Sequence, residues 1–327
     1  MILAGDIGGT NSRLALFDDE LTAVKQTVTK NKGRDSFGPI VREFLDQCGD
    51  LRRQVDRACF GVAGPVAEGQ VTLTNLKWHL DEAALSRELG IRKVALINDM
   101  LAHAEGVERL RPEHVVMLNE GEHRHGGNRA IIAAGTGLGE AGLFWDAKID
   151  GYRGFASEGG HCDFGPRSDQ EVALLQFLQK QKGIRNVSWE SVLSGPGLRN
   201  IYDFLIAPEQ LGPGAGLPNP DPPPADVTQA AMQGSNRAAV AAMEMFIHFY
   251  GAEAGNLALK LLAIGGMYLG GGIVTHILDK LRGPAFLQSF RDKGPDKLRP
   301  LLQSIPVYVI NFDLNGLYGA ANYARRM

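Results

Sequence analysis

The chain has 327 residues, with 34 basic against 37 acidic side chains for a formal net charge of −3, and 44% of its residues are hydrophobic. That balance excludes a wholly disordered chain and offers no basic tract for nucleic-acid binding led by phosphate contacts. Three cysteines (Cys48, Cys59 and Cys162) with no C-x-x-C exclude a disulfide framework and a local thiolate zinc knuckle.

The length points to about two domains. The N-terminus has no basic and apolar leader pattern, and the most apolar stretch, 261–275, is glycine-interrupted and shorter than the roughly 20 residues that span a bilayer. The expectation is a reduced, cytosolic protein with no membrane partner. Taken in order, short apolar runs at 2–4, 58–60, 94–97, 131–133 and 267–269 read as buried strands. Apolar residues at helical spacing predict helices over 37–45, 80–89, 100–110, 172–181 and 237–262, with a short one at 273–281 and a last one at 314–326. Alternation of strand and helix argues for α/β architecture. Residues 212–226, with six prolines and three glycines, read as a linking loop.

Glycine is abundant, at 41 residues, and it clusters after the strands. Gly5-Asp6-Ile7-Gly8-Gly9-Thr10-Asn11 reads as strand, tight turn, strand. Glycines in such a turn let backbone N–H groups approach a phosphate. A carboxylate beside a phosphate is repulsive unless a cation intervenes, so Asp6 points to Mg²⁺, direct or through water. Gly135-Thr136-Gly137-Leu138-Gly139 repeats the pattern after the 131–134 strand. Residues 137–142 also match G-x-G-x-x-G, but a dinucleotide fingerprint needs a helix to open there, and 141–146 reads as a strand. Gly270-Gly271-Gly272 lies between a strand and a short helix. No G-x-x-x-x-G-K-[ST] is present, so the chain has no P-loop.

Two strand–glycine hairpins and a late glycine turn, in this order, resemble the phosphate-1, phosphate-2 and adenosine motifs of the actin–hexokinase–Hsp70 ATPase superfamily. More closely, the whole chain resembles the bacterial glucokinases of the non-ROK type. The resemblance is carried by residues 5–13, by Gly61-Val62-Ala63-Gly64-Pro65-Val66, by Leu96-Ile97-Asn98-Asp99 and by 135–139. It continues through Ser157-Glu158-Gly159-Gly160-His161 and through 188–197. ROK sugar kinases carry a cysteine-rich zinc signature near the equivalent histidine; here only Cys162 is available.

The resemblance implies a two-lobed actin-like (ribonuclease H-like) fold with an active-site cleft between the lobes. Its small lobe would be 1–110 plus 312–327 and its large lobe 111–311. It implies phosphorylation of the 6-hydroxyl of D-glucose by MgATP, a step feeding glycolysis, in a homodimer. Phosphoryl transfer asks mainly for positioning, charge neutralisation and one base near the attacking hydroxyl. Asp99 is the candidate base. From spacing alone it reads more readily as a helix-capping residue; the resemblance reverses that and assigns it the proton. By resemblance Asn98, Asp99, Glu158, His161 and Glu190 contact glucose. Gly5, Asp6, Ile7, Gly8, Gly9, Thr10, Gly135, Thr136, Gly137 and Gly271 hold the nucleotide, with Asp6 toward the magnesium. Trp78, after Thr74-Asn75-Leu76-Lys77, lies in a region the family places near the sugar but reads as packing. A kinase for another hexose, a sugar-responsive regulator and an actin-type filament protein are the competing readings.

Overall fold

A computed structural model describes residues Met1–Leu73 and Asn75–Met327; Thr74, in the segment before Trp78, lies outside the described residues. The chain divides into two units. The first comprises Met1–His114, Trp145–Ala156 and Phe312–Met327, and the second Val115–Phe144 and Ser157–Asn311.

The first unit begins with β1 (Ile2–Ile7), β2 (Asn11–Phe17) and β3 (Ala23–Lys30), followed by α1 (Phe37–Gln47) and β4 (Arg57–Val62). A small hairpin, β5 (Gln70–Leu73) and β6 (Trp78–Asp81), leads to α2 (Glu82–Leu89), β7 (Lys93–Asn98) and α3 (Asp99–Gly106). The sheet order is β3-β2-β1-β4-β7. β1 pairs antiparallel with β2 and parallel with β4, and β4 pairs parallel with β7. Successive side chains of a strand point to opposite faces. Leu3 and Ile7 therefore pack among Phe37, Val41, Phe44 and Leu85 on one face. Ile2 and Ala4 pack with Ala102, Leu317 and Ala320 on the other. With both faces covered, β1 reads as an apolar run rather than an alternating one.

The second unit opens with β8 (Val115–Asn119), β9 (Arg129–Ala134) and β10 (Leu138–Asp146), and the chain then forms β11 (Gly151–Ser157). Four helices follow: α4 (Asp169–Lys180), α5 (Gly195–Leu205), α6 (Pro224–Gln233) and the long α7 (Arg237–Leu261). Then come β12 (Gly266–Gly270), the short α8 (Gly272–His276), α9 (Leu278–Leu281), α10 (Pro284–Arg291), α11 (Arg299–Gln303) and β13 (Val307–Ile310). Strands β10-β9-β12-β13-β8 lie side by side. β9 is antiparallel to β10 and parallel to β12, and β12 is parallel to β13. One large core gathers Ile132, Trp189, Phe246, Phe249, Leu269 and Phe290.

The last helix, α12 (Asn315–Arg325), groups with the first unit. A Cβ at Gly319 would overlap the Ala102 carbonyl oxygen, so a residue without a side chain lets α12 lie directly on α3. The expected large-lobe span of 111–311 is revised at the β10–β11 turn, because Trp145–Ala156 groups with the first unit. Its backbone supplies the reason. Tyr152 N donates to Glu108 Oε1 at 3.0 Å, Gly154 N donates to Glu105 Oε1 at 2.9 Å, and the Tyr152 carbonyl accepts from Arg326 at 2.6 Å. Residues 212–226 are also not wholly a loop: α6 starts at Pro224, where a fixed φ suits the first helical turn. No helix among the described residues is long and apolar enough to cross a membrane.

Candidate active site

In the first unit, the candidate groups gather at the carboxyl ends of β1, β4 and β7. Asp6 stands opposite Gly61, and Ile7, Val62 and Asn98 share the next row of the parallel register. Ligands of open α/β sheets bind beyond such strand ends. The turn after β1 closes with Gly8 N donating to Asn11 O at 3.0 Å. It leaves Gly9 and Thr10 exposed. Asn31, 1% exposed, braces it: Nδ2 donates to Gly8 O at 2.7 Å, and Oδ1 accepts from the buried Ser12 hydroxyl at 2.8 Å. Asp6 lies 3.5 Å from Arg13, its cross-strand partner on β2. A cavity of about 30 Å³, bounded by Ile7, Gly8, Gly9, Ala63 and Asn75, adjoins this turn.

β7 passes directly into α3, and the capping role falls to Asn98. Its Oδ1 accepts from Met100 N at 2.9 Å and Leu101 N at 3.3 Å, while Nδ2 donates to Gly64 O at 3.1 Å. Asp99 is thereby the first residue of the helix, with Oδ1 2.9 Å from Met100 N. The positive end of the α3 dipole thus lies at this carboxylate. The spacing left Asp99 open as the cap; the structure gives the cap to its neighbour. Trp78 is 2% exposed, donates to Arg34 O at 3.1 Å and packs near Phe37, as a core residue does.

In the second unit, the turn at Gly135–Gly137 joins β9 to β10. Residues 138–146 form a strand, which removes the dinucleotide reading of 137–142. The turn closes with Gly135 N donating to Gly137 O at 2.9 Å, and Gly135 O accepts from Gly195 N at 2.8 Å. Glu190 Oε2 accepts from Leu138 N at 2.8 Å and would lie 2.5 Å from a Cβ on Gly137. The other Glu190 oxygen lies 4.0 Å from His161 Nδ1, and His161 Nε2 lies 3.9 Å from Glu158. Glu158, His161 and Glu190 thus converge, and the last is also the brace of the glycine turn. Glu158 and His161 are exposed and Glu190 is half-buried. An acceptor pair and an imidazole, open on one side, match a polyhydroxylated ligand that donates and accepts at each hydroxyl.

Beside the same turn is a cavity of about 560 Å³ lined by Gly195, Pro224, Thr228, Met232, Gly272 and His276. Its size and mainly apolar wall suit a flat heterocycle. Gly272 faces it. Gly271, the glycine expected at the nucleotide, has φ +89° and packs on Ala134, whose carbonyl oxygen a Cβ would overlap. Sequence reading missed Asn31 and the α6 wall of this cavity. The only local signal for the wall was the proline cluster itself.

Among the described residues no group of three or more histidine, cysteine or carboxylate side chains is gathered to hold a metal. Asp6 stands as a single carboxylate at the first turn. That donor set fits a magnesium ion carried largely by phosphate oxygens and water, not a dedicated protein cage.

The family model for glucokinase matches residues 3–327. A glucokinase of Nostoc sp. is 40% identical over all of this chain and 99% of its own length. Among solved structures, the glucokinase of an Antarctic psychrotroph superposes with a TM-score of 0.87 at 30% identity, covering 100% of this chain and 99% of that one. A ROK family glucokinase from Streptomyces griseus, solved with glucose and AMPPNP, shares the fold at a TM-score of 0.64 and 21% identity, covering 100% of this chain and 99% of that one. The chain belongs to the glucokinase family.

Proposed function

We propose that this chain transfers the γ-phosphoryl group of ATP to the 6-hydroxyl of D-glucose, with Asp99 as general base. The observation that carries the reading is Glu190, whose two oxygens face a phosphate-type glycine turn and the Glu158–His161 loop. One residue thereby serves a nucleotide element and a sugar element, the two substrates the family name requires. The fold we assign is the actin-like ATPase type, each unit built on a ribonuclease H-like sheet.

The roles follow from the residue chemistry. Backbone N–H groups of Gly8–Thr10 and Gly135–Gly137 receive the phosphates. The cavity beside Gly272 receives the adenosine. Asn98, Glu158, His161 and Glu190 take the sugar hydroxyls and orient the 6-oxygen. That oxygen attacks the γ-phosphorus, its proton passes to the Asp99 carboxylate, and the bond from the γ-phosphorus to the bridging oxygen breaks to release ADP. Asp6 would hold Mg²⁺ through water; when bound, the ion neutralises phosphate charge. The family resemblance extends the reading to a cytoplasmic homodimer supplying glycolysis, and light scattering of the purified protein tests the dimer.

A coupled assay with MgATP and a panel of glucose, fructose, mannose and N-acetylglucosamine tests the assignment, with Asp99→Asn as control. Glucose should dominate the panel, and the variant should lose roughly 10²–10⁴-fold in turnover. Preference for a different hexose would overturn the sugar assignment and keep the kinase.

A further inference from the structure

The Glu158–His161 loop rests on β10, and an acid that the reaction leaves unused lies directly beneath it. Glu140 is 1% exposed. Its Oε2 occupies the space where a Cβ on Gly159 would go, and the Leu138 carbonyl occupies the same space under Gly160. Its Oε1 is buried with no hydrogen-bond partner among the described residues. The loop above is held on its own side by Gly159 N, which donates to Ser157 Oγ at 3.0 Å.

The groups facing Glu140 come mainly from α7. Glu253, fully buried, accepts from Asn256 at 2.7 Å and from Lys260 at 3.1 Å. Tyr250 is buried beside it, with its hydroxyl on the Ile132 and Gly270 carbonyls. Lys293, after α10, is held by Ala252 O and Asn256 Oδ1 and feels the charge of Glu253, while Cys162 acts on Lys260. Two carboxyls therefore lie among two ammoniums, the half-exposed Lys260 beside both and Lys293, pulled down to about 8 by burial, on the Glu253 side. Burial, and then the charge of Glu253, push the Glu140 carboxyl up to about 8, with Lys260 opposing. The shift favours the protonated carboxyl, which avoids a second buried negative charge.

We propose that Glu140 is a positioning residue for hexose binding: its carboxyl, seated under Gly159, fixes the backbone between Glu158 and His161 and so sets where those side chains meet the sugar. The proposal rests on the reading of Glu158 and His161 as sugar ligands. Ionisation of Glu140 places a second buried negative charge beside Glu253 and under the loop, only partly offset by Lys260, and loosens its seat, so the effect is on glucose affinity rather than on the phosphoryl step.

The test uses the full-length enzyme, with kcat and both KM values measured from pH 6.5 to 9.5. In the wild type, KM for glucose should rise as pH passes about 8, with KM for ATP steady. Glu140→Gln keeps a neutral side chain of the same shape, so its KM at pH 7 should stay near wild type and the alkaline rise should vanish. Glu140→Ala should raise KM for glucose roughly tenfold at pH 7, with little change in KM for ATP. Circular dichroism melting identifies variants that fail to fold, and the pH profile of Glu140→Gln decides the matter if Glu140→Ala is one of them. An alkaline rise retained in Glu140→Gln, or a wild-type KM in folded Glu140→Ala, would overturn the proposal. His161→Ala run alongside separates the two possible failures. If it too leaves KM for glucose unchanged, the sugar reading is wrong and the positioning role falls with it. If it raises KM while the Glu140 variants do not, only the positioning role is overturned.

Discussion

The two glycine turns occupy equivalent places in the two units. Each joins a central strand to an antiparallel neighbour, and on its other side that central strand pairs with a parallel one: β2-β1-β4 in the first unit and β10-β9-β12 in the second. Their support differs. The first turn is braced locally by Asn31, which follows the next strand of its own meander. The second is braced by Glu190, 52 residues downstream, whose free edge faces His161. The same turn geometry is thus self-contained in one unit and tied to the sugar loop in the other. On the proposed roles, the first turn would bind phosphate independently of the sugar and the second would not.

Substitutions divide along that line. The largest effect is expected outside both turns, at the proposed base. Asp99→Asn should lower kcat roughly 10²–10⁴-fold, the usual contribution of a general base, with KM for glucose changed little; steady-state kinetics reads the split. Glu190→Ala should raise KM for both ATP and glucose, each roughly tenfold, because one side chain positions two loops. A rise confined to one substrate would break the comparison. Asn31→Ala leaves the buried Ser12 hydroxyl and the Gly8 carbonyl without their partner. A loss of about 1–3 kcal/mol in denaturant unfolding is expected, with a higher KM for ATP and an unchanged KM for glucose. The smallest effect on stability belongs to Gly9→Ala. A Cβ there meets only Asn75 Nδ2 at 3.8 Å. Stability should stay within about 0.5 kcal/mol of wild type while KM for ATP rises.

The strand–turn–strand units were legible because their signal is local: a short apolar run, then glycines at fixed offsets. Asp99 was legible as an element-end carboxylate, since β7 and α3 abut. The neighbouring Asn98 took the cap because its side chain reaches two backbone N–H groups at once, a detail of geometry that spacing does not carry. Asn31 and Glu140 were not legible. Each is a buried polar residue whose place depends on what packs against it rather than on its neighbours in sequence. The cavity beside Gly272 was hidden for a similar reason. Proline-rich sequence reads as a linker, yet Pro224 is pre-set for a first helical turn and opens the helix that walls the cavity. The grouping of Trp145–Ala156 with the first unit depends on backbone hydrogen bonds to Glu105 and Glu108, far away in the chain.

The link through Glu190 is tested most directly by glucose binding, titrated calorimetrically with and without saturating magnesium and AMPPNP, in the wild type and in Glu190→Ala. Coupling between two sites is a free energy that a double comparison isolates. The account predicts that the nucleotide analogue tightens glucose binding in the wild type and that most of this tightening is lost in Glu190→Ala. Equal tightening in both proteins would contradict it, and would leave Glu190 as a contact to one substrate alone.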